Sequence, residues 1–448
     1  MDLRPIFFPK TVAVIGATER ARSVGRGLME NLKEFKGKVF PVNPNHKEIF
    51  SQKCFPKITD IPEEIDLAIV AVKAHLVPKI IKECLEKKVK GIIIISSGFS
   101  EIGEEGKERE KEIKKLLEKN PLPVVGPNCL GVISPYASLN ASFAPFLAKK
   151  GEIAFLSQSG ALIDAVLDFF QKENIGFSFI VSLGNASFLS FPEFISFFSR
   201  QKFVKVICLY IEGIKRGKDF IKICQKVSQK IPIVAIKAGR TEKGKKTILS
   251  HTASLTTSFE IFKTALKKAG VILVEDLKEL FISAKALSWQ ERFSKKIGIL
   301  TNGGGAGVLA VDFCEKENLP LVEIPEKIKK KIQKEKIFPP YITLQNPLDI
   351  GGDALPERYE KGGEILLSLK DLGGLLVILT PQIVTDPVGT AKVLIKLKKR
   401  FKKKSMVCVF MGKESMRSAS HLLEEEKIPV FETPKEGVLA MKALFSRK

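Results

Sequence analysis

Three times along the chain, an unbroken apolar run ends in a turn of small residues, and a helix-length apolar stripe follows. The three stretches are "TVAVIGATERARSVGRGLMENL" from Thr11, "EIAFLSQSGALIDAVLDFF" from Glu152 and "KIGILTNGGGAGVLAVDFCEK" from Lys296. Their starts lie about 140 residues apart, which is the size of one α/β domain. Further runs of the same kind follow each of them. They include "LAIVAV" and "GIIIISS" in the first third, "VICLYIEG" and "IVAIKAG" in the second, and "GLLVILT" and "VCVFMG" in the last. Strands that read as continuous apolar runs, separated by helix-length segments, belong to parallel sheets covered on both faces. The pattern predicts an α/β chain of three doubly wound parallel-sheet domains in series, at residues 1–148, 149–292 and 293–448. Ligands of such sheets bind at the carboxyl ends of the strands, so those turns are the places to look for chemistry.

Composition narrows the picture. Apolar residues make up 44% of 448 positions, enough for packed cores. No apolar stretch is long enough to span a bilayer, and "MDLRPIFFPK" lacks the pattern of a secretory signal. The seven cysteines are scattered and form no CxxC pair, which reads as reduced cytoplasmic thiols without a metal site. The net charge of +23 would suit a polyanion binder. The lysines, however, fill the outer faces of amphipathic segments such as "KVLIKLKKRFKKK". With four tyrosines and one tryptophan, base-stacking platforms are scarce, so no nucleic-acid partner is expected. A lysine-rich chain of this kind also fits a heat-loving source.

The first loop, Gly16–Gly27, leads a strand into a helix whose amino end could hold phosphate. Its glycines fall at 16, 25 and 27, not in GxGxxG spacing. The next strand ends "VFPVNPN", with Asn43 and Asn45 where a dinucleotide fold would carry a ribose-binding carboxylate. The loop therefore reads as a nucleotide turn for something other than NAD, or as a turn that binds nothing. In the second loop, "LSQSGAL", Ser157, Ser159 and Gly160 open a helix, either as caps or as a phosphoryl cradle. A hydrolase elbow would need glycine where Leu156 or Ser157 stands.

Glu212, in "YIEGI", ends an apolar strand, where a carboxylate is either solvated or holds a partner such as an imidazole N–H. Of only four histidines, His251 lies in "TILSHTASLTT", after the basic run "KAGRTEKGKK". That stretch reads as an open polar loop. A carboxylate on one ring nitrogen would leave the other as a nucleophile; alternatively His251 is a surface histidine without a task.

Taken together, "SHTASL", "VGPNCLGV", "SQSGAL", "SLGN", "YIEG", "KAGRTEKG", "QNPLDIGGD" and "VILTPQIVTDP" resemble, in their order, the motifs of NDP-forming acyl-CoA synthetases. The likeness covers nearly the whole chain. It implies a Rossmann-like CoA-binding domain followed by two flavodoxin-like domains, in an enzyme that converts acyl-CoA, ADP and phosphate to acid, CoA and ATP. It further implies that His251 carries the phosphoryl group, that Glu212 orients it, and that Ser157, Ser159, Gly160, Gly304 and Gly305 cradle the phosphoryl oxygens. Coenzyme A is then expected at Gly16, Ser23, Val24, Gly25, Asn43, Pro44, Ser96, Ser97, Gly98, Asn128 and Cys129. No region resembles an ATP-grasp module, so ADP and Mg2+ are expected on a separate beta subunit in an α2β2 assembly. Three segments depart from the family pattern: "GNASFLSF", Ala253 in "SHTASL" and "TNGGGAG". A CoA-binding sensor of the same fold without turnover is the alternative; an intact His251 and Glu212 speak against it.

Overall fold

The computed structural model describes residues 1–170, 174–252 and 258–446; the side chains of residues 248–252 lie outside that description. The contacts divide the chain into two compact units, Met1–Glu275 and Asp276–Lys448.

The first unit contains two large sheets and a small two-stranded hairpin, Glu48–Ile49 with Gln52–Lys53. One is built from β1 (Thr11–Ile15), β2 (Lys38–Val42), β3 (Leu67–Val70), β4 (Gly91–Ile94) and β5 (Val124–Val125), all parallel, in the order β2-β1-β3-β4-β5. The other holds β6 (Gly131–Ser134), β7 (Leu139–Ser142), β8 (Lys150–Ser157), β9 (Phe177–Ser182), β10 (Val206–Ile211), β11 (Ile233–Lys237) and β12 (Ile272–Val274). Its order is β12-β11-β10-β8-β9-β6-β7. β8 to β12 are parallel, while β6 and β7 extend the edge antiparallel. These two strands precede residue 148 yet belong to the second sheet.

The second unit has β13 (Lys296–Thr301), β14 (Leu348–Asp349), β15 (Leu372–Leu379), β16 (Ser405–Phe410) and β17 (Val430–Phe431), parallel in the order β14-β13-β15-β16-β17. All three parallel sheets thus share one winding, with the first and third strands adjacent at the point where the order reverses. At that switch point two neighbouring loops diverge and leave a crevice. The strands are buried on both faces, as their continuous apolar runs predict.

The helices that matter to the site are α1 (Val24–Asn31), α2 (Gly160–Phe170), α3 (Gly217–Ser228), α4 (Glu242–Thr252) and α5 (Phe259–Lys268). In the second unit they are α6 (Leu277–Trp289), α7 (Gly304–Lys316) and α8 (Pro434–Leu444). α1, α2 and α7 start within ten residues of the ends of β1, β8 and β13, and each turns its apolar stripe onto the sheet. α6 precedes residue 292 but packs with α8, in the second unit. Asp276 caps α6 by accepting from the Glu279 N–H at 2.7 Å.

The basic run before His251 was expected to be an open loop, and here the structure differs. Residues 242–252 form α4. Thr241 Oγ1 accepts from the Gly244 N–H at 3.1 Å, which is a helix cap, and Glu242 lies in the first turn, where the helix dipole favours a carboxylate. Lys245 pairs with Glu242 at 2.6 Å along the same face. His251 falls in the last turn of α4; its side chain, and the whole of Ala253, lie outside the described residues.

Candidate active site

In the second sheet the switch point lies between β8 and β10, which are paired through Ser157 and Tyr210 at their carboxyl ends. The β8 turn is tied to itself. The Ser157 hydroxyl donates to the Ser159 carbonyl at 2.7 Å and accepts from the Ser159 N–H at 3.0 Å. Ser157 is fully buried, so its hydroxyl serves the turn. Ser159 and Gly160 are half-exposed at the start of α2, whose first amides have no partner within the helix. Across the crevice, Glu212 follows β10. Its N–H and that of Gly213 both donate to Gln158 Oε1, at 2.7 and 3.0 Å. Its carbonyl accepts from Lys237 Nζ at 2.8 Å. A carboxylate residue and an anion-receptive helix start are therefore neighbours at one switch point. The expected contact between Glu212 and His251 involves a side chain outside the described residues.

Lys237 is the last residue of β11 and is buried. Burial lowers its amine to about 8; the Glu212 charge works in the opposite direction, and Lys245 and Arg240 add to the lowering. A cavity of about 490 Å3 opens beside the pair, walled by Phe220, Ile221, Phe262 and Leu266.

The third sheet repeats the β8 turn. Thr301 ends β13, donates to the Gly303 carbonyl at 3.1 Å and accepts from the Gly303 N–H at 3.0 Å. The next residue, Asn302, reaches the end of β15, where Oδ1 accepts from the Thr380 N–H at 2.8 Å. Gly304 and Gly305 are exposed at the start of α7, and a side chain at Gly305 would meet open space.

In the first sheet, Gly16 follows β1 with φ +93°, a conformation that glycine adopts without strain. Ser23 caps α1 by accepting from the Arg26 N–H at 3.4 Å. Val24 and Gly25 occupy the first turn, with amides that lack helical acceptors. Asn43 Nδ2 donates to the Ala17 carbonyl at 2.8 Å, so it ties β2 to this loop; Pro44 beside it is exposed. Ser96 is buried and donates to the Val72 carbonyl at 2.6 Å, whereas Ser97 is exposed. The Gly98 N–H donates to Glu101 Oε1 at 2.6 Å. Asn128 is exposed, with φ +56°. Cys129 turns inward instead: its thiol donates to the Ile94 carbonyl at 3.3 Å, and burial pushes it up to about 12. Apart from Ser96 and Cys129, which turn inward, these residues form a rim of backbone amides and small side chains at the carboxyl ends of β1, β2, β4 and β5. That arrangement suits the phosphates and nucleotide of coenzyme A.

Three contributors were not picked out from the sequence. Gln158 and Lys237 are described above. The third is Asn185, in "SLGN" after β9. Its side-chain amide donates to Glu101 Oε2 at 2.5 Å and Glu110 Oε1 at 3.2 Å, and its Oδ1 accepts from Asn128 at 3.2 Å. Lys215 Nζ donates to its carbonyl at 2.8 Å. Asn185 thereby joins the loops of the first two sheets. The only signals in the sequence were a lysine ending an apolar strand and an asparagine after a glycine turn.

Family models match three consecutive parts of the chain. They are a CoA binding domain over residues 10–135, a succinyl-CoA ligase like flavodoxin domain over 150–287, and a Ligase-CoA domain over 297–447. The chain is 39% identical over 439 residues to acetate–CoA ligase [ADP-forming] I of Archaeoglobus fulgidus, covering 98% of this chain and 63% of that protein. It is 37% identical over 442 residues to the alpha subunit of acetate–CoA ligase [ADP-forming] II of Pyrococcus furiosus, covering 98% and 96%. Thus it spans 63% of the first relative's length and nearly all of the second's. Among solved structures, it matches the dinucleotide-forming acetyl-coenzyme A synthetase 1 of Ca. Korarchaeum cryptofilum, in complex with phosphate and ADP. The TM-score is 0.92 at 36% identity, covering 99% of this chain and 96% of that one.

Proposed function

The chain belongs to the ADP-forming acetate–CoA ligase family, and on that premise we propose that it is the alpha, phosphohistidine-carrying part of such a ligase. Acyl-CoA and phosphate give an acyl phosphate and free CoA. His251 attacks the phosphorus of the acyl phosphate, and the carboxylate leaves. The phosphoryl group then passes from the imidazole to ADP, giving ATP. Coenzyme A binds the Gly16–Gly25 loop and the carboxyl ends of β2, β4 and β5. ADP and Mg2+ bind an ATP-grasp module on a beta subunit, and two copies of each subunit assemble. Acetate is the acyl group that the relatives' names supply.

The observation that carries this reading is the convergence at the β8/β10 switch point. Glu212, whose N–H donates to Gln158, stands there beside the helix start at Ser159–Gly160. A carboxylate there fixes the tautomer of a neighbouring imidazole, and bare helix amides receive the transferred oxygens.

With the beta subunit and labelled ATP, acid-labile and base-stable label is expected on this chain. His251→Ala should abolish both label and turnover. Glu212→Gln should retain CoA binding and slow phosphorylation by roughly 10²–10⁴-fold. Full labelling of the His251→Ala protein would overturn the reading. Co-purification from the source should yield an ATP-grasp partner in equal amount.

A further inference from the structure

We infer that Gln158 and Lys237 are positioning residues that clamp the Glu212 peptide from opposite sides, and so fix where its carboxylate stands. The inference rests on the reading of Glu212 as the carboxylate that serves His251. The geometry does not depend on that reading.

Glu212 sits one residue beyond β10, where a strand end has lost its ladder and would ordinarily fan out. Here every main-chain polar group of the turn's first peptide unit is engaged. Gln158 comes from the turn after β8, on one side of β10, and its single oxygen accepts from two consecutive amides. Lys237 comes from β11 on the other side, in register with Ile211, and donates to the Glu212 carbonyl. The Gln158 N–H in turn donates to the Tyr210 carbonyl at 3.3 Å, which locks the reaching side chain to the strand it serves. The two neighbours of β10 thus hold one peptide between them.

Lys237 is a costly choice for a carbonyl partner. Only 4% of it is exposed. Its ammonium also donates to the Ala238 carbonyl and stands 5.5 Å from the Phe262 ring centre. Burying an ammonium is unfavourable unless charge and donors are used. A neutral donor could satisfy the carbonyl; only a cation also attracts the Glu212 carboxylate, with which it is electrostatically coupled. Among the described residues, the charged and titratable groups around it are Tyr210 and Glu212 from β10 and its turn, Lys245 from α4, Arg240 before α4, and Lys218 and Lys222 from α3. Lys237 is the group among them whose amine lies at about 8, so the positioned, charged state is lost as pH rises through that value.

Two measurements on the full chain test this. The first is hydrogen exchange at the peptide spanning Glu212 and Gly213. Gln158→Ala should speed its exchange at least tenfold, and Lys237→Met should do so to a lesser degree. Unchanged exchange in both would overturn the clamp. The second is the rate of His251 phosphorylation by phosphoramidate, read by mass spectrometry of the His251 peptide. In that reaction the imidazole nitrogen bonds to phosphorus, the P–N bond of the donor breaks, and ammonia leaves.

Lys237→Met and Gln158→Ala should each slow the reaction roughly 10- to 100-fold, the size of effect that a 1 Å displacement of a catalytic group produces. Lys237→Arg should recover most of the rate and remove the decline of the wild-type profile above about pH 8. Adding Lys237→Met to Glu212→Gln should slow the reaction no further, because Lys237 acts through Glu212. Multiplying effects, or wild-type rates in both clamp variants beside a slow Glu212→Gln, would overturn the inference. Faster exchange in the clamp variants with a wild-type rate for Glu212→Gln would uphold the clamp and sink the reading of Glu212.

Discussion

Two glycines of α1, two residues apart, should respond to the same substitution with opposite sign. A Cβ at Gly25 would stand 2.1 Å from the Gly16 carbonyl oxygen, whereas one at Gly27 would meet Phe143 Cβ at an ordinary 3.6 Å. For Gly25→Ala to fit, the β1 turn and the α1 start must part by about 1.3 Å to reach the 3.4 Å of normal contact. Overpacking of that kind costs about 1–3 kcal/mol. Replacing glycine by alanine inside a helix returns roughly 0.5–1 kcal/mol. The turn opened in this way is the one proposed to hold the phosphates of coenzyme A. The helix gain is the same with and without ligand, so the overpacking of about 1–3 kcal/mol, falling on the bound geometry, weakens CoA binding roughly 5- to 150-fold. Gly27→Ala meets no such clash; it should stabilise the fold by about 0.4–1 kcal/mol and leave CoA affinity unchanged. Isothermal titration of both variants with CoA, beside urea unfolding of each, measures the two quantities. Equal CoA affinities in the two variants, with both folded, would refute the placement of the phosphates at this turn.

Three other outcomes follow from buried charge and sulfur. Lys285 is buried in an ion pair with Glu424, donates to the Val430 carbonyl, and lies 5.3 Å from the Trp289 ring centre. Lys285→Met alone should lower stability by about 3–5 kcal/mol in urea unfolding, and Glu424→Leu added to it should recover most of the loss; a loss under about 1 kcal/mol would contradict the buried pair. The Lys237 amine is lowered from 10.5 to about 8, so between those values the unfolded chain binds more protons and stability rises with pH. The difference in melting temperature between wild type and Lys237→Met should therefore shift in favour of the wild type from pH 8 to pH 10; a constant difference would contradict the lowered amine. All seven cysteines are buried and burial raises each thiol, so Ellman's reagent at pH 8 should react slowly with the native chain and with seven thiols in urea. Fast native labelling would show that a thiol opens to solvent.

Much of this was legible from local pattern. The parallel strands declare themselves as unbroken apolar runs because both faces of each sheet are covered, and burial leaves no alternation to hide behind. The small-residue turns at Gly16, Ser157 and Thr301 declare themselves because a helix must start where the strand stops. α4 is signalled locally by Thr241 and Glu242, a cap followed by a first-turn carboxylate, but the density of lysine and glycine after them reads as a loop.

What local pattern could not reach is adjacency. β8 and β10 are neighbours although β9 lies between them in the chain, and β11 flanks β10 from the other side. Gln158 becomes a partner of Glu212, and Lys237 a cap on its carbonyl, only through that strand order. Strand order is set by how the sheets bury their faces and by the winding of the crossovers, which are long-range terms with no local signature. The same holds for Asn185, whose donors meet Glu101 and Glu110 more than seventy residues away. Sequence assigned the residue types and the strand ends that carry them. Folding chose which ends meet, because hydrogen-bond partners across a parallel sheet are separated by whole helices along the chain.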